Sequence, residues 1–444
     1  MKIVFRVLFL ILFSTSTLNA TNDSQEVWIN VFIHGIIRPV VTIGDMVKIS
    51  RQNIKNSRYK HITKYVRRND ISHRSQVIQE IGLHPIKMEP NPDNNGSRAM
   101  VAVFKKIKEL NPNQTAEQSH KDLYYTFGWS GLLSYSSRQK AAKFLYKKLI
   151  RLVEQLKSKG LNPKIRILGF SHGGNVTVQM ANFDPWNKLK SKLTINEFIA
   201  LGMPVQKEND VLIRHPMFEK VYHFYSNGDI PQKLDFVSTD YTFSHRRYQA
   251  RQCFEIPDKL TQIQVQFSKK SKIKRPGNHK KSRVITYDPT HVEMWSFGWS
   301  PTGYNNKSPL YPLPTAAITN HLIELIKANP TLGRNLVANV NPSQEIVTFS
   351  DLNWKNHRTI KDITVPFLSH KDYNEVRQAA WTRRPVDQTK LDGKKVVNKA
   401  IYFATRQRKY HKHCASNLEC ASKNCNHHCY HEIDESVSAP GQTN

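Results

Sequence analysis

Cysteine is scarce in this chain: there are five in 444 residues, and four of them fall in one stretch near the end. That excludes a scaffold stapled throughout by disulfides. Acid is scarce beside base, with 35 Asp and Glu against 66 Lys and Arg, for a formal charge of +31. Such an imbalance attracts polyanions and says nothing of fold. Past Ala20 no apolar run is long enough to span a bilayer. Glycine, at 18 residues, is too sparse for a collagen-like chain, and a hydrophobic content of 39% with 10% aromatics argues against disorder. What is left is a globular chain with room for one large domain plus additions, or for two to three ordinary ones.

The first twenty residues stand apart. Lys2 and Arg6 make a short basic region, Val7–Phe13 an apolar run, and Ser14–Ala20 a small and polar stretch. That is the three-part pattern of a cleavable signal peptide, with cleavage expected after Ala20. The apolar run is short for a membrane anchor. The expected location is therefore secreted or periplasmic, and no nucleic-acid partner is expected.

From 26 to 329 strand-like and helix-like segments alternate. Val27–Ile33, Leu123–Phe127, Lys164–Leu168, Ile195–Leu201 and Val221–Tyr225 read as buried strands. Gln262–Phe267 and Val284–Tyr287 read as a terminal strand pair joined by a basic loop. Ser97–Leu110, Ser137–Lys159 and Thr315–Ala328 read as helices, the second ended by Gly160. The alternation indicates an α/β fold with a mostly parallel central sheet. Basic insertions are expected at about 45–95 and 268–283. From 330 to 410 no period is evident, and 411–435 is rich in Cys and His.

Gly169-Phe170-Ser171-His172-Gly173 is a G-x-S-x-G motif between a β-branched strand and a helix-compatible segment. A sharp strand–turn–helix bend strains the serine and crowds its neighbours, and small residues two before and two after relieve that crowding. A serine hydroxyl is a weak nucleophile until a base takes its proton, and the base is oriented by a carboxylate. In such sheets the chain order is serine, acid, histidine. Asp229 lies in the turn Ser226-Asn227-Gly228-Asp229 at a strand's carboxyl end, with Asp210 and Asp235 as rivals. His291 follows the last strand. Of its rivals, His245 and His279 precede that strand and His321 lies inside the closing helix. Oxyanion donors are expected from the backbone N–H groups of His172 and of Ile36, in the loop that begins His34-Gly35. The His34 side chain is expected to brace that loop.

Val31-Phe32-Ile33-His34-Gly35, the Ser-His-Gly-Gly elbow, Asn227-Gly228-Asp229 and His291 together resemble the α/β-hydrolase superfamily, its lipase and esterase branch in particular. The elbow resembles that of bacterial triacylglycerol lipases. The resemblance covers 27–329 and implies Ser171 as nucleophile, Asp229 as acid, His291 as base, and Ile36 and His172 as oxyanion donors. It implies an α/β-hydrolase fold with helices on both sheet faces. It also implies an exported ester hydrolase that acts on lipids through an acyl-enzyme and requires no cofactor. The gap from Ile33 to Leu123 is longer than the family's, and nothing past Asn329 matches its pattern. Two other readings use the same residues: a lipid acyltransferase that excludes water, and a non-catalytic basic protein on the same scaffold.

Three signals remain. Phe-Gly-Trp-Ser occurs at 127–130 and 297–300, so that Phe127, Trp129, Trp295, Phe297 and Trp299 are candidates for core packing or for an acyl pocket. Ser268–Arg283 carries Lys269, Lys270, Lys272, Lys274, Arg275, Lys280, Lys281 and Arg283 with no acid, which suits a solvated loop or docking on an anionic membrane surface. Cys414, Cys420, Cys425 and Cys429 lack the C-x-x-C of most zinc sites, and export favours two disulfides whose pairing the sequence does not choose. His411, His413, His427, His428 and His431 keep a metal as the alternative.

Overall fold

The computed structural model describes residues 24–37, 63, 74–88, 94–110, 120–185, 191–207, 209–232, 244–250, 255–274, 280–300, 304–353, 356 and 358–385. The expected signal peptide, Cys253, the 411–435 cysteines, Asp235 and His279 lie outside them.

Eleven strands among the described residues form one sheet. In chain order they are β1 Glu26–Ile33, β2 Gly82–Pro85, β3 Lys121–Gly128, β4 Asn162–Phe170, β5 Ile195–Leu201, β6 Phe218–Tyr225, β7 Leu260–Lys274, β8 Lys280–Tyr287, β9 Asn335–Asn341, β10 Ile346–Leu352 and β11 Thr359–Pro366. The spatial order is β11-β10-β9-β7-β6-β5-β4-β1-β3-β2, with β8 paired to β7. From β3 to β9 the neighbours are parallel. β2, β8, β10 and β11 add antiparallel edges. The fold is thus α/β with a mostly parallel mixed sheet.

Apolar residues run almost unbroken along β1, β4, β5 and β6 because both faces of the sheet are covered. Phe32, Leu168, Phe170, Ile199, Leu201 and Phe224 belong to one core cluster. Over them lie α1 (Gly96–Glu109), α4 (Thr319–Lys327) and α5 (His370–Trp381), through residues such as Phe104, Leu322 and Val376. The alternate residues Val31, Ile33, Ile167, Phe198 and Val221 form the other cluster, under α2 (Tyr135–Lys157) and α3 (His172–Val178). Side chains start the helices: the Asn95 side chain accepts from Arg98 N at 3.1 Å, and Ser369 Oγ accepts from Asp372 N at 3.1 Å. α2 stops where expected, with Gly160 left-handed at φ 74° just past its end.

Two sequence readings need correction. The expected insertion at about 45–95 contains β2, which pairs antiparallel with β3, and Val77 and Ile78 beside it are buried. Nor does the fold stop at 329. β9 pairs parallel with β7, and β10, β11 and α5 complete the edge. In β9, Asn335, Asn339 and Asn341 share a face with Val337, opposite Leu336, Ala338 and Val340, and asparagine is depleted in strands, which hid the pattern.

Candidate functional site

β1 is flanked by β3 on one side and β4 on the other, so the strand order reverses there, the point at which open α/β sheets hold ligands. Ser171, buried, stands at this point between β4 and α3. It is a non-glycine residue at φ 50°, ψ −128°, a strained conformation that costs about 1–3 kcal/mol. The flanking glycines are dictated by crowding. A Cβ on Gly169 would lie 2.7 Å from Gly174 Cα, and one on Gly173 would lie 2.5 Å from the Ile33 carbonyl oxygen. His172 is the first residue of α3, at the positive end of its dipole, where a backbone N–H suits a developing oxyanion.

The loop after β1 presses directly on the serine. A Cβ on Gly35 would sit 2.8 Å from Ser171 Cβ. His34 braces the loop, as expected. Its Nε2 accepts from Trp129 N at 3.2 Å, so Nδ1 carries the proton and donates to the Gly35 carbonyl at 2.7 Å. Trp129 Nε1 returns a bond to the His34 carbonyl at 2.8 Å, and the two rings stack. Ile36 follows this brace, and Ile37 N donates to the Gly131 carbonyl at 3.1 Å.

Asp229 and His291 meet. His291 Nδ1 lies 2.7 Å from Asp229 Oδ2, with the carboxylate fully buried and the imidazole 17% exposed. With the proton on Nδ1, Nε2 is left as the basic nitrogen. The acid turn packs on the histidine loop so closely that a Cβ on Gly228 would overlap the Asp288 carbonyl. Ser171 is tied to this pair through one residue. Ser171 N donates to the Leu201 carbonyl at 2.8 Å. The next residue, Gly202, is left-handed at φ 55°, and a Cβ there would lie 2.7 Å from Asp229 Oδ2 and 3.4 Å from His291 Nδ1. Phe170, beside Ser171, has its ring centroid 4.6 Å from that of His291, and Trp295 stacks on the same Phe170 ring at 5.4 Å.

Sequence reasoning missed the supports of the acid. Gln232 N donates to Asp229 Oδ1 at 3.0 Å, which leaves Oδ2 to His291. The Gln232 side chain, buried, donates to the carbonyls of Met203 at 2.6 Å and Arg246 at 3.1 Å. Arg246 Nε donates to the Asp229 carbonyl at 3.0 Å. On the histidine side, the buried Glu293 carboxylate accepts from Thr290 N at 2.7 Å, Asn305 N at 3.2 Å and Tyr287 Oη at 2.5 Å. The Gln232 spacing, three residues past the acid, was the one local signal.

The rival residues sit elsewhere. Asp210 opens a single turn at Asp210–Arg214, and His245 is an exposed residue that bridges to Val205. His321 is half-buried, edge-on against Phe367, and desolvation of its ring pulls its pKa down to about 4. Phe127, Trp129, Trp295 and Phe297 are at most 1% exposed and Trp299 is 9% exposed, in the two core clusters. They pack the core. Among the described residues no group of three His, Cys, Asp or Glu is placed to hold a metal, and no helix is long and apolar enough to cross a membrane.

No family model, no curated protein and no solved structure matches the chain.

Proposed function

We propose that the protein is an exported serine hydrolase of the α/β-hydrolase superfamily that cleaves carboxylic esters, with lipid esters as its substrate class. One observation carries the reading. A hydrogen-bonded His291–Asp229 pair abuts Gly202, the residue next to the carbonyl that receives the N–H of a serine held at positive φ.

Ser171 Oγ attacks the ester carbonyl while His291 Nε2 takes its proton. Asp229 holds the imidazole in the tautomer that leaves Nε2 basic and stabilises the cation that forms. The oxyanion is received by the N–H groups of Ile36 and His172. His291 then gives its proton to the departing alcohol. Water, activated by the same nitrogen, releases the acid from Ser171.

A fluorophosphonate probe tests this on the purified protein. Wild type is expected to label and Ser171→Ala not to. An unlabelled wild type, or an equally labelled Ser171→Ala, removes the hydrolase reading. Asp229→Asn and His291→Ala are expected to lower turnover of p-nitrophenyl esters by about 10⁴-fold while the fold is kept. Near-wild-type turnover in both removes that assignment of acid and base. An ester panel of rising chain length reads the acyl preference.

A further inference from the structure

β7 outruns its neighbours. β6 pairs with it over Leu260–Gln264 and β9 over Gln262–Phe267. From Ser268 to Lys274 its described ladder is with β8 alone, out to Lys274 opposite Lys280. At about 3.3 Å of rise per residue, that stretch forms a two-stranded arm reaching about 20 Å past the sheet's carboxyl end. This is the end that carries Ser171, Asp229 and His291. At the arm's root Lys269 Nζ donates to the Lys307 carbonyl at 2.6 Å. Just beyond, Val284, Ile285 and Thr286 are exposed in succession. Consecutive strand residues face opposite ways, so neither face is covered there.

The arm is basic on both faces. By register, Lys270, Lys272, Lys274 and Lys280 share one face, and Lys269, Lys281 and Arg283 share the other. Each face also carries an exposed apolar residue, Val284 (50%) on the first and Ile285 (40%) on the second. Ile230, next to Asp229, is 62% exposed. No Phe, Trp or Tyr lies between Ser268 and Thr286. Single-stranded nucleic acid is gripped by aromatic stacking beside the charge, which the arm lacks. Basic residues next to exposed aliphatic ones suit a bilayer, where anionic headgroups lie over acyl chains.

We propose that the β7–β8 arm docks the protein on an anionic lipid bilayer with the Ser171 face turned toward the membrane. The substrate class this names, esters presented in an anionic bilayer, rests on the hydrolase reading above. The test uses the full chain carrying Ser171→Ala, so that binding is read without turnover. It is sedimented with phosphatidylglycerol–phosphatidylcholine vesicles and with phosphatidylcholine vesicles. Binding is expected to the anionic vesicles only and to weaken as salt rises. Changing Lys270, Lys272, Lys274 and Lys280 to Gln is expected to lower it by about tenfold or more. The same charge loss on exposed lysines of α2 and its end, Lys140, Lys143, Lys147 and Lys159, is expected to change it by less than about twofold. Val284→Ser with Ile285→Ser, which leaves the charge unaltered, is expected to lower it several-fold. Equal losses in the two lysine sets, no preference for anionic vesicles, an unaffected Val284/Ile285 variant, or tighter binding to a single-stranded oligonucleotide would each overturn the proposal. Vesicle binding by a wild type that no fluorophosphonate labels keeps the arm and removes the hydrolase. Labelling without vesicle binding does the reverse.

Discussion

The two ends of the same parallel strands are built on opposite terms. At the amino ends of β1, β3, β4 and β5, charges are paired across the sheet. Glu197 receives Arg166 Nε at 2.5 Å and Lys327 Nζ at 2.6 Å. Asp122 receives Lys108 Nζ at 2.6 Å and Asn30 Nδ2 at 2.9 Å. Arg166 also lies over the Trp28 ring at 4.5 Å. Burial pushes the Glu197 carboxyl up, but the Arg166 and Lys327 charges outweigh it and hold it below the usual carboxylate range. The contacts of this network are hydrogen bonds, ion pairs and one cation–π contact. At the carboxyl ends steric close approaches join the hydrogen bonds. Ser171 and Gly202 are left-handed, and Gly35, Gly202 and Gly228 each leave no room for a Cβ. One end is arranged for stability, and the other stores strain around an acid–histidine pair. Changes at the two ends should therefore separate turnover from stability.

The sharpest break comes at Gly35. Its Cβ would lie 2.8 Å from Ser171 Cβ, so Gly35→Ala forces the loop that carries Ile36, the proposed oxyanion donor, away from the serine. Turnover of p-nitrophenyl butyrate should fall by about 10²–10³-fold, the usual cost of misplacing one oxyanion donor. Stability should fall by only about 1–2 kcal/mol, because a loop at the sheet's rim can shift. Parallel ester kinetics and urea unfolding check both numbers. A loss of stability with turnover intact would put Gly35 on the wrong side of the comparison.

That contrast also decides what the sequence made legible. β1, β4, β5 and β6 announce themselves because burial on both faces demands unbroken apolar runs. Ser171, Asp229 and His291 announce themselves because the turn chemistry after each strand is local: G-x-S-x-G, Asn-Gly-Asp, and a histidine just past a strand. The supports are long-range and silent. Nothing near Gln232 shows that its amide reaches Met203 and Arg246, and nothing near Glu197 shows Lys327 arriving from α4. β2 is four residues long and is defined by its partner β3, while β9 hides its core positions among asparagines. Local chemistry marks a site, and distant partners set its geometry.

At the amino end the expected effect is smaller and falls on stability. Glu197→Gln leaves Arg166 without its carboxylate in a largely buried position, where the Glu197 side chain is 6% exposed and that of Arg166 is 12%. Removing one partner of a buried pair costs about 3 kcal/mol, less whatever Asn30 and water recover. Turnover at 25 °C should stay within about twofold, since nothing in this network touches the Ser171 end. Because the Glu197 carboxyl is held low, its contribution is present above the unfolded carboxylate pKa and is lost as pH falls through the folded one. The wild type and the variant should converge in stability in strong acid. Persistence of the full difference there would mean that packing, not charge, had been removed.

The smallest effect belongs to neither end, and it guards the comparison against a false pH signal. His321 is half-buried in α4, with its ring centroid 5.4 Å from that of Phe367 and, among the described residues, no hydrogen-bond partner for its buried Nε2. Burial lowers its pKa to about 4, against about 6.5 in the unfolded chain. A histidine that resists protonation when folded contributes stability fully above the unfolded pKa, and that stability is lost as pH falls toward the folded one. At pH 5 the loss from this residue approaches about 2 kcal/mol, and it arises in the core, away from His291. His321→Leu keeps an apolar side chain against Phe367 and takes no proton. The variant should match wild type near pH 7.5 and exceed it by about 1–2 kcal/mol near pH 5 in denaturant unfolding, with the pH dependence of turnover unchanged. If the variant instead changes the pH dependence of turnover and leaves stability alone, the neutral folded state assigned to His321 is wrong.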